Sequence, residues 1–149
     1  MNKHETTEHI WKSIRGAAPL FELYRHWPSL HDGIVKSLDV EYSEKKIKMV
    51  VDYCDHPINP HSETHVNTRI TLCWHGVIEA KLGLSANDLY GIDFSKIGEK
   101  FHTEFEDYYW GLDGYILSQS IEIISIAPTK DPSELTESDS ADRMIITIT

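Results

Sequence analysis

The sequence predicts a mostly β domain, or an α+β one, with an antiparallel sheet of about six strands folded as a sandwich or half-barrel behind a short N-terminal helical segment. Three observations carry this prediction. Apolar residues recur at every second position in several stretches between residues 34 and 126, and Gly, Pro, Asn and Asp gather between those stretches. The three-and-four spacing of a helix is sustained in the first 27 residues.

At the N-terminus, Thr6, Thr7, Glu8 and His9 can cap a helix whose apolar side is Ile10, Trp11 and Ile14, ended by Gly16 and Pro19. A second helical turn or two follows, with Leu20, Leu23, Tyr24 and Trp27 on one face and Pro28 as its stop. From Ile34 the period changes to two. Leu38, Val40 and Tyr42 face one way while Ser37, Asp39 and Glu41 face the other, the pattern of a strand with one wet face. A polar turn at residues 43–46 leads into Ile47, Met49, Val51 and Tyr53, alternating with Lys48, Val50, Asp52 and Cys54, which completes a hairpin.

Residues 55–67 hold two prolines, two asparagines and three histidines and form a loop. Ile70, Leu72 and Trp74 then oppose Thr71, Cys73 and His75, and the strand continues past Gly76 to Leu82, so a bulge or bend is expected at that glycine. Phe101, Thr103, Phe105 and Tyr109 oppose His102, Glu104, Glu106 and Tyr108, a strand pattern, although Phe101 and Phe105 also fit a helix. Residues 111–114 are expected as a turn. Between Tyr115 and Ile126 the β-branched residues change phase, and a bulge near Ile123 would keep Ile121, Ile123, Ile124 and Ile126 all inside. The domain is expected to span residues 1–130, followed by an acidic linker at 131–143 and a strand at 144–149 that adds to a sheet edge or to a partner, including a second copy.

A chain of 149 residues with 40% hydrophobic content supports one sizeable core. The N-terminal segment lacks the apolar run of a signal peptide or a membrane span, so a cytoplasmic location is expected. Cys54 and Cys73 are expected as free thiols in that compartment. The net charge of −10 repels nucleic-acid phosphates and steers in a cationic partner.

No Gly-rich phosphate loop or serine elbow is present, and no enzymatic activity is expected. His31 and Asp32 stand alone, without the further ligands a metal-dependent hydrolase needs; a turn in which His31 donates to a carbonyl and Asp32 accepts from backbone N–H groups accounts for them. His56, His61 and His65, with Cys54, Cys73 and His75, offer zinc or haem ligands in principle, but their spacing fits no zinc pattern and no cofactor is expected. The most suggestive surface is acidic and aromatic: Glu104, Glu106, Asp107, Tyr108, Tyr109, Trp110 and Asp113, beside His102. Tyr and Trp anchor protein interfaces, and carboxylates receive Arg and Lys.

The run Trp27-Pro28-Ser29-Leu30-His31-Asp32-Gly33-Ile34-Val35 resembles the Trp-Pro-Ser-Phe-His-Asp-Ala-Glu-Val pattern of a bacterial immunity-protein family, immunity protein 50. Residues 71–77 are similar to that family's strand ending in aromatic-x-Gly-Val, and residues 114–128 to its closing strands, so the likeness covers residues 20–130 loosely. Leu30 replaces the aromatic, Gly33-Ile34 replaces Ala-Glu, and the acidic stretch after Lys130 departs from the pattern. The resemblance implies an all-β or α+β domain that binds and neutralises a bacterial toxin. Within the motif, Trp27 is expected to plug the core, Pro28 to end the helix, and His31 and Asp32 to fix the turn into the strand.

Overall fold

A computed structural model describes residues 9–31, 33–54, 67–86, 88–106, 111–128 and 144–148. The expected cap at residues 6–8 and the linker at 131–143 lie outside them. A helical turn at residues 9–11 precedes α1 (Ala18–Tyr24). Eight strands follow: β1 (Gly33–Glu41), β2 (Lys46–Cys54), β3 (Asn67–Leu84), β4 (Asp88–Leu89), β5 (Ile92–Ile97), β6 (Lys100–Phe105), β7 (Leu112–Pro128) and β8 (Met144–Ile148). The fold is therefore mostly β and antiparallel, as expected, with β4 and β5 added to the six strands read from the sequence.

The eight strands form one sheet in the order β4-β1-β2-β3-β7-β6-β5, with β8 on β3. β4 and β5 stand at opposite ends of that order yet are joined by only Tyr90 and Gly91. Leu89 and Ile92 are three residue steps apart, at most about 11 Å, so the sheet must curl until its ends meet. The inside of the curl is the core. Ile47, Met49, Val51, Ile70, Leu72, Trp74, Leu82, Phe94, Leu112 and Ile116 are buried there. The Trp74 indole N–H donates to the Thr103 hydroxyl at 2.9 Å in this buried setting, where an unpaired polar group would cost about 1–3 kcal/mol.

The central strand, β3, runs 18 residues and pairs with β7 along nearly its whole length. A register shift between Val77 and Glu79 follows Gly76, whose φ is +60°, so the bulge expected at this glycine is present. On its other edge β3 pairs with β2 through residues 67–74 and with β8 through residues 80–84. The C-terminal strand thus adds to its own sheet.

Five readings are corrected. Residues 111–114 are not a free turn, because β7 starts at Leu112 and Gly114 (φ +110°) pairs with Leu82 and Phe105. Ile124 is the extra residue of a bulge between the pairs Thr71–Ser125 and Leu72–Ile123, and it is exposed rather than inside. Tyr42 and Leu23 are exposed as well, since Tyr42 has left β1 for the turn and Leu23 lies off the buried face of α1. Asp52 is fully buried, because Arg69 opposite it on β3 grips both carboxylate oxygens, at 2.7 and 2.9 Å; without Arg69 the buried carboxylate would lose its countercharge.

The N-terminal segment straps the second half of β7. Arg15 N–H donates to the Ile121 carbonyl, Ile123 N–H donates to the Arg15 carbonyl at 2.7 Å, and Ile10, Trp11 and Ile14 are buried. Outside the strap, Glu122 accepts from Arg15 at 3.2 Å and from His75 at 2.9 Å. The hydrogen bond from His75, more than the charge of Arg15, holds the Glu122 carboxyl below its ordinary value.

Two predictions follow from these contacts. A β-carbon on Gly114 would lie 1.9 Å from the Lys81 carbonyl oxygen, whereas one on Gly98 (φ +65°) meets nothing within 4 Å. Gly114→Ala should lower unfolding free energy by about 3 kcal/mol or more in urea titration, and Gly98→Ala by about 1 kcal/mol, the cost of left-handed backbone alone. The stabilisation linked to Glu122 is present above the ordinary carboxylate pKa of 4.5 and is lost as pH falls through the lower folded value. The urea midpoint of Glu122→Gln should therefore lie below wild type at neutral pH, and the gap should close in acid.

Candidate functional site

Four strands, β8, β3, β7 and β6, turn one continuous outer face to solvent around a cleft of 490 Å³. Antiparallel register sets its rows. Thr147, Lys81, Tyr115, Glu104 and Asp93 lie opposite one another across five strands. In the next row Ile145 and Asp113 flank Gly83, which has no side chain, and the hollow opens there.

Alternation explains which side chains meet on this face. On β6, Phe101, Thr103 and Phe105 are buried, so His102 and Glu104 turn outward, and Glu106, just past the strand, is exposed. On β7, Ile116 and Ser118 are buried, so Tyr115 and Leu117 turn outward. His102 sits diagonally across from Tyr115, and their rings stack 5.7 Å apart at 15°. The Tyr115 hydroxyl donates to the Glu79 carboxylate; that bond holds the phenol above its ordinary value.

The cleft is lined by Glu104, Glu106 and Asp113, with Lys81 as the cation and Ile145 and Phe105 among the apolar groups. Glu104 and Glu106 join no ion pair among the described residues. Such a surface offers carboxylates to a cation and a stacked aromatic pair to its flat or aliphatic part. Three of the acidic residues singled out in the sequence, Glu104, Glu106 and Asp113, thus converge; Asp107, Tyr108, Tyr109 and Trp110 lie outside the described residues. Glu79, Lys81, Tyr115 and Ile145 were not anticipated, because they come from strands whose adjacency only the sheet order sets.

The Trp27-to-Asp32 motif sits at the seam of the curl. Trp27 stacks on Trp11 at 5.7 Å and 3° and touches Phe21 at 5.0 Å, so it caps the core from the side of the helical segment. Pro28 lies just beyond α1, in the segment leading to β1, and is buried. Leu30 is wholly buried with φ +60° and accepts from Gly33 N–H. His31 donates its Nδ1 proton to the Tyr90 carbonyl, as expected of a turn histidine, and so ties the start of β1 to the link between β4 and β5. Asp32 lies outside the described residues.

Cys73 is fully buried, and burial pushes its thiol up, so it is protonated at neutral pH and is not a ready nucleophile. His75 points at Glu122. Among the described residues no three His, Cys, Asp or Glu side chains gather as a metal site; His56, His61 and His65 lie outside them. No described helix is long and apolar enough to cross a membrane.

The cleft geometry has a spectroscopic consequence. Glu79→Gln removes the charged acceptor of the Tyr115 hydroxyl, so ultraviolet titration should show one tyrosinate forming at lower pH than in wild type, with Tyr115→Phe deleting that transition altogether.

Comparison with protein-family models, curated proteins and solved structures returned no match to this chain.

Proposed function

We propose that this protein is an immunity protein: in the cytoplasm it binds a cationic bacterial toxin as a stoichiometric complex and neutralises it by occlusion, with no chemistry of its own. The observation that carries the reading is the cleft on the outer face, where Glu104, Glu106 and Asp113 surround an aromatic and apolar floor built on Tyr115, His102 and Ile145. The net charge of −10 supports it, because a negative field accelerates capture of a basic protein. The likeness of residues 27–35 to the immunity protein 50 pattern points in the same direction.

Occlusion makes specific demands on such a surface. Aromatic side chains supply contact area at small entropic cost, while carboxylates fix the orientation of arginine and lysine partners. Rim charges act mainly on the association rate. The cognate toxin gene is expected beside the gene for this protein, and its co-expression supplies the test. Wild type should restore growth, whereas the triple variant Glu104→Lys, Glu106→Lys, Asp113→Lys should fail to protect and should bind the purified toxin more slowly, with a weaker salt dependence. Failure of wild type to protect against, or bind, the neighbouring toxin overturns the proposal.

A further inference from the structure

The edges of this sheet are not alike. Beyond its two pairs with β4, β1 is bulged between Val35 and Ser37 and carries Lys36, Asp39 and Glu41. The second half of β7 is bulged at Ile124, strapped by Arg15 and closed by Pro128. β5 carries Asp93 and Lys96. Each of these features discourages another strand from adding.

β8 has none of them. Its residues are Met-Ile-Ile-Thr-Ile, without charge or proline, and they pair with β3 through five consecutive partners without a register shift. Among the described residues no strand lies on its other side. In an antiparallel ladder every second residue of an edge strand turns its N–H and C=O away from the sheet, so β8 presents a straight row of backbone donors and acceptors. Ile145, 65% exposed, stands on the outer face beside that row and lines the acidic cleft.

We infer that β8 is a strand-addition site, and that its occupant is an extended segment of a cationic protein. Backbone hydrogen bonds to β8 would hold the segment, Ile145 would receive a β-branched or apolar neighbour, and the segment's basic residues would lie on the cleft side of the sheet. A second copy of this chain is the other natural occupant of an unguarded edge. Charge decides against it: pairing two β8 edges brings together two chains of −10 and two carboxylate-lined clefts. The inference rests on the cationic partner proposed above and specifies how that partner is held.

The probe is a strand-length peptide alternating arginine with valine, blocked at both ends and titrated into the full-length protein by calorimetry and amide NMR. Two further versions carry N-methyl groups on every second residue, in opposite phases. Strand addition requires one phase to abolish binding and the other to retain it, with shifts concentrated at residues 144–148. Ile145→Lys should weaken binding about tenfold, while Ile97→Lys, which adds the same charge at another exposed strand position, should change it little; thermal melts check that both fold.

Equal binding by both methylated peptides, or unchanged binding by Ile145→Lys, overturns the inference. So does a dimer in light scattering that Ile145→Lys dissociates, since the edge then belongs to a second copy. Phase-selective peptide binding without protection in co-expression would leave the strand site standing and remove the toxin. Full protection by Ile145→Lys would do the reverse.

Discussion

Tyr90 and Gly91 join the two extreme strands of a single sheet, and most other features of the molecule answer to that short link. A link of at most about 11 Å forces the sheet to curl, and curling gives it one enclosed face and one solvated face. The enclosed face must be filled: Trp74, Phe94, Leu112 and Ile116 line it, and Trp11 meets Phe94 edge-on at 4.9 Å. The open side is covered by the N-terminal segment, with Trp27 laid on Trp11. The bond from His31 to the Tyr90 carbonyl secures the link from outside. A motif that resembles part of a catalytic site in the sequence thus has a mechanical task, holding the seam at which the sheet closes.

The length of β3 follows from the same curl. One 18-residue strand carries β7 on one edge and divides the other between β2 and β8. A straight strand of that length would leave the curl, and the bulge after Gly76 bends it. Beyond the bend the sheet has different neighbours and a different outer face. Before it, Cys73 is buried and His75 engages Glu122. After it, Glu79, Lys81 and Gly83 turn outward and help form the cleft.

The core-facing residues of the long strands were legible in the sequence. Ile47, Met49, Val51 and Tyr53 are buried as the pattern requires, as are Ile70, Leu72 and Trp74, and Phe101, Thr103 and Phe105. β4 and β5 were missed because two residues carry no period and because Ile92 and Phe94 give a single repeat before the exposed Ile97. Asp52 defied the pattern for a different reason: its burial depends on Arg69, 17 positions away in sequence, which no local period encodes. The acids of the site were visible one by one, yet their grouping with Tyr115, Glu79 and Ile145 depends on β6 lying beside β7 rather than beside β3. Local patterns specify faces, and only the order of strands specifies neighbours.

That distinction bears on how the proposed partner is recognised. Carboxylates on an open face attract cations without selecting among them, since exposed ion pairs contribute only about 0–1 kcal/mol each and are screened by salt. Selection requires directional bonds, and a strand edge supplies them in register. Other edges of this sheet carry a bulge, a proline or charges, whereas β8 keeps a regular, uncharged row next to the cleft. An unguarded edge is an aggregation hazard in an uncharged protein, but at −10 the chain repels its own copies over the same distances at which it draws in a basic protein. Under the proposed function, the acidity of the chain therefore serves two ends: it steers the toxin in and reserves β8 for it.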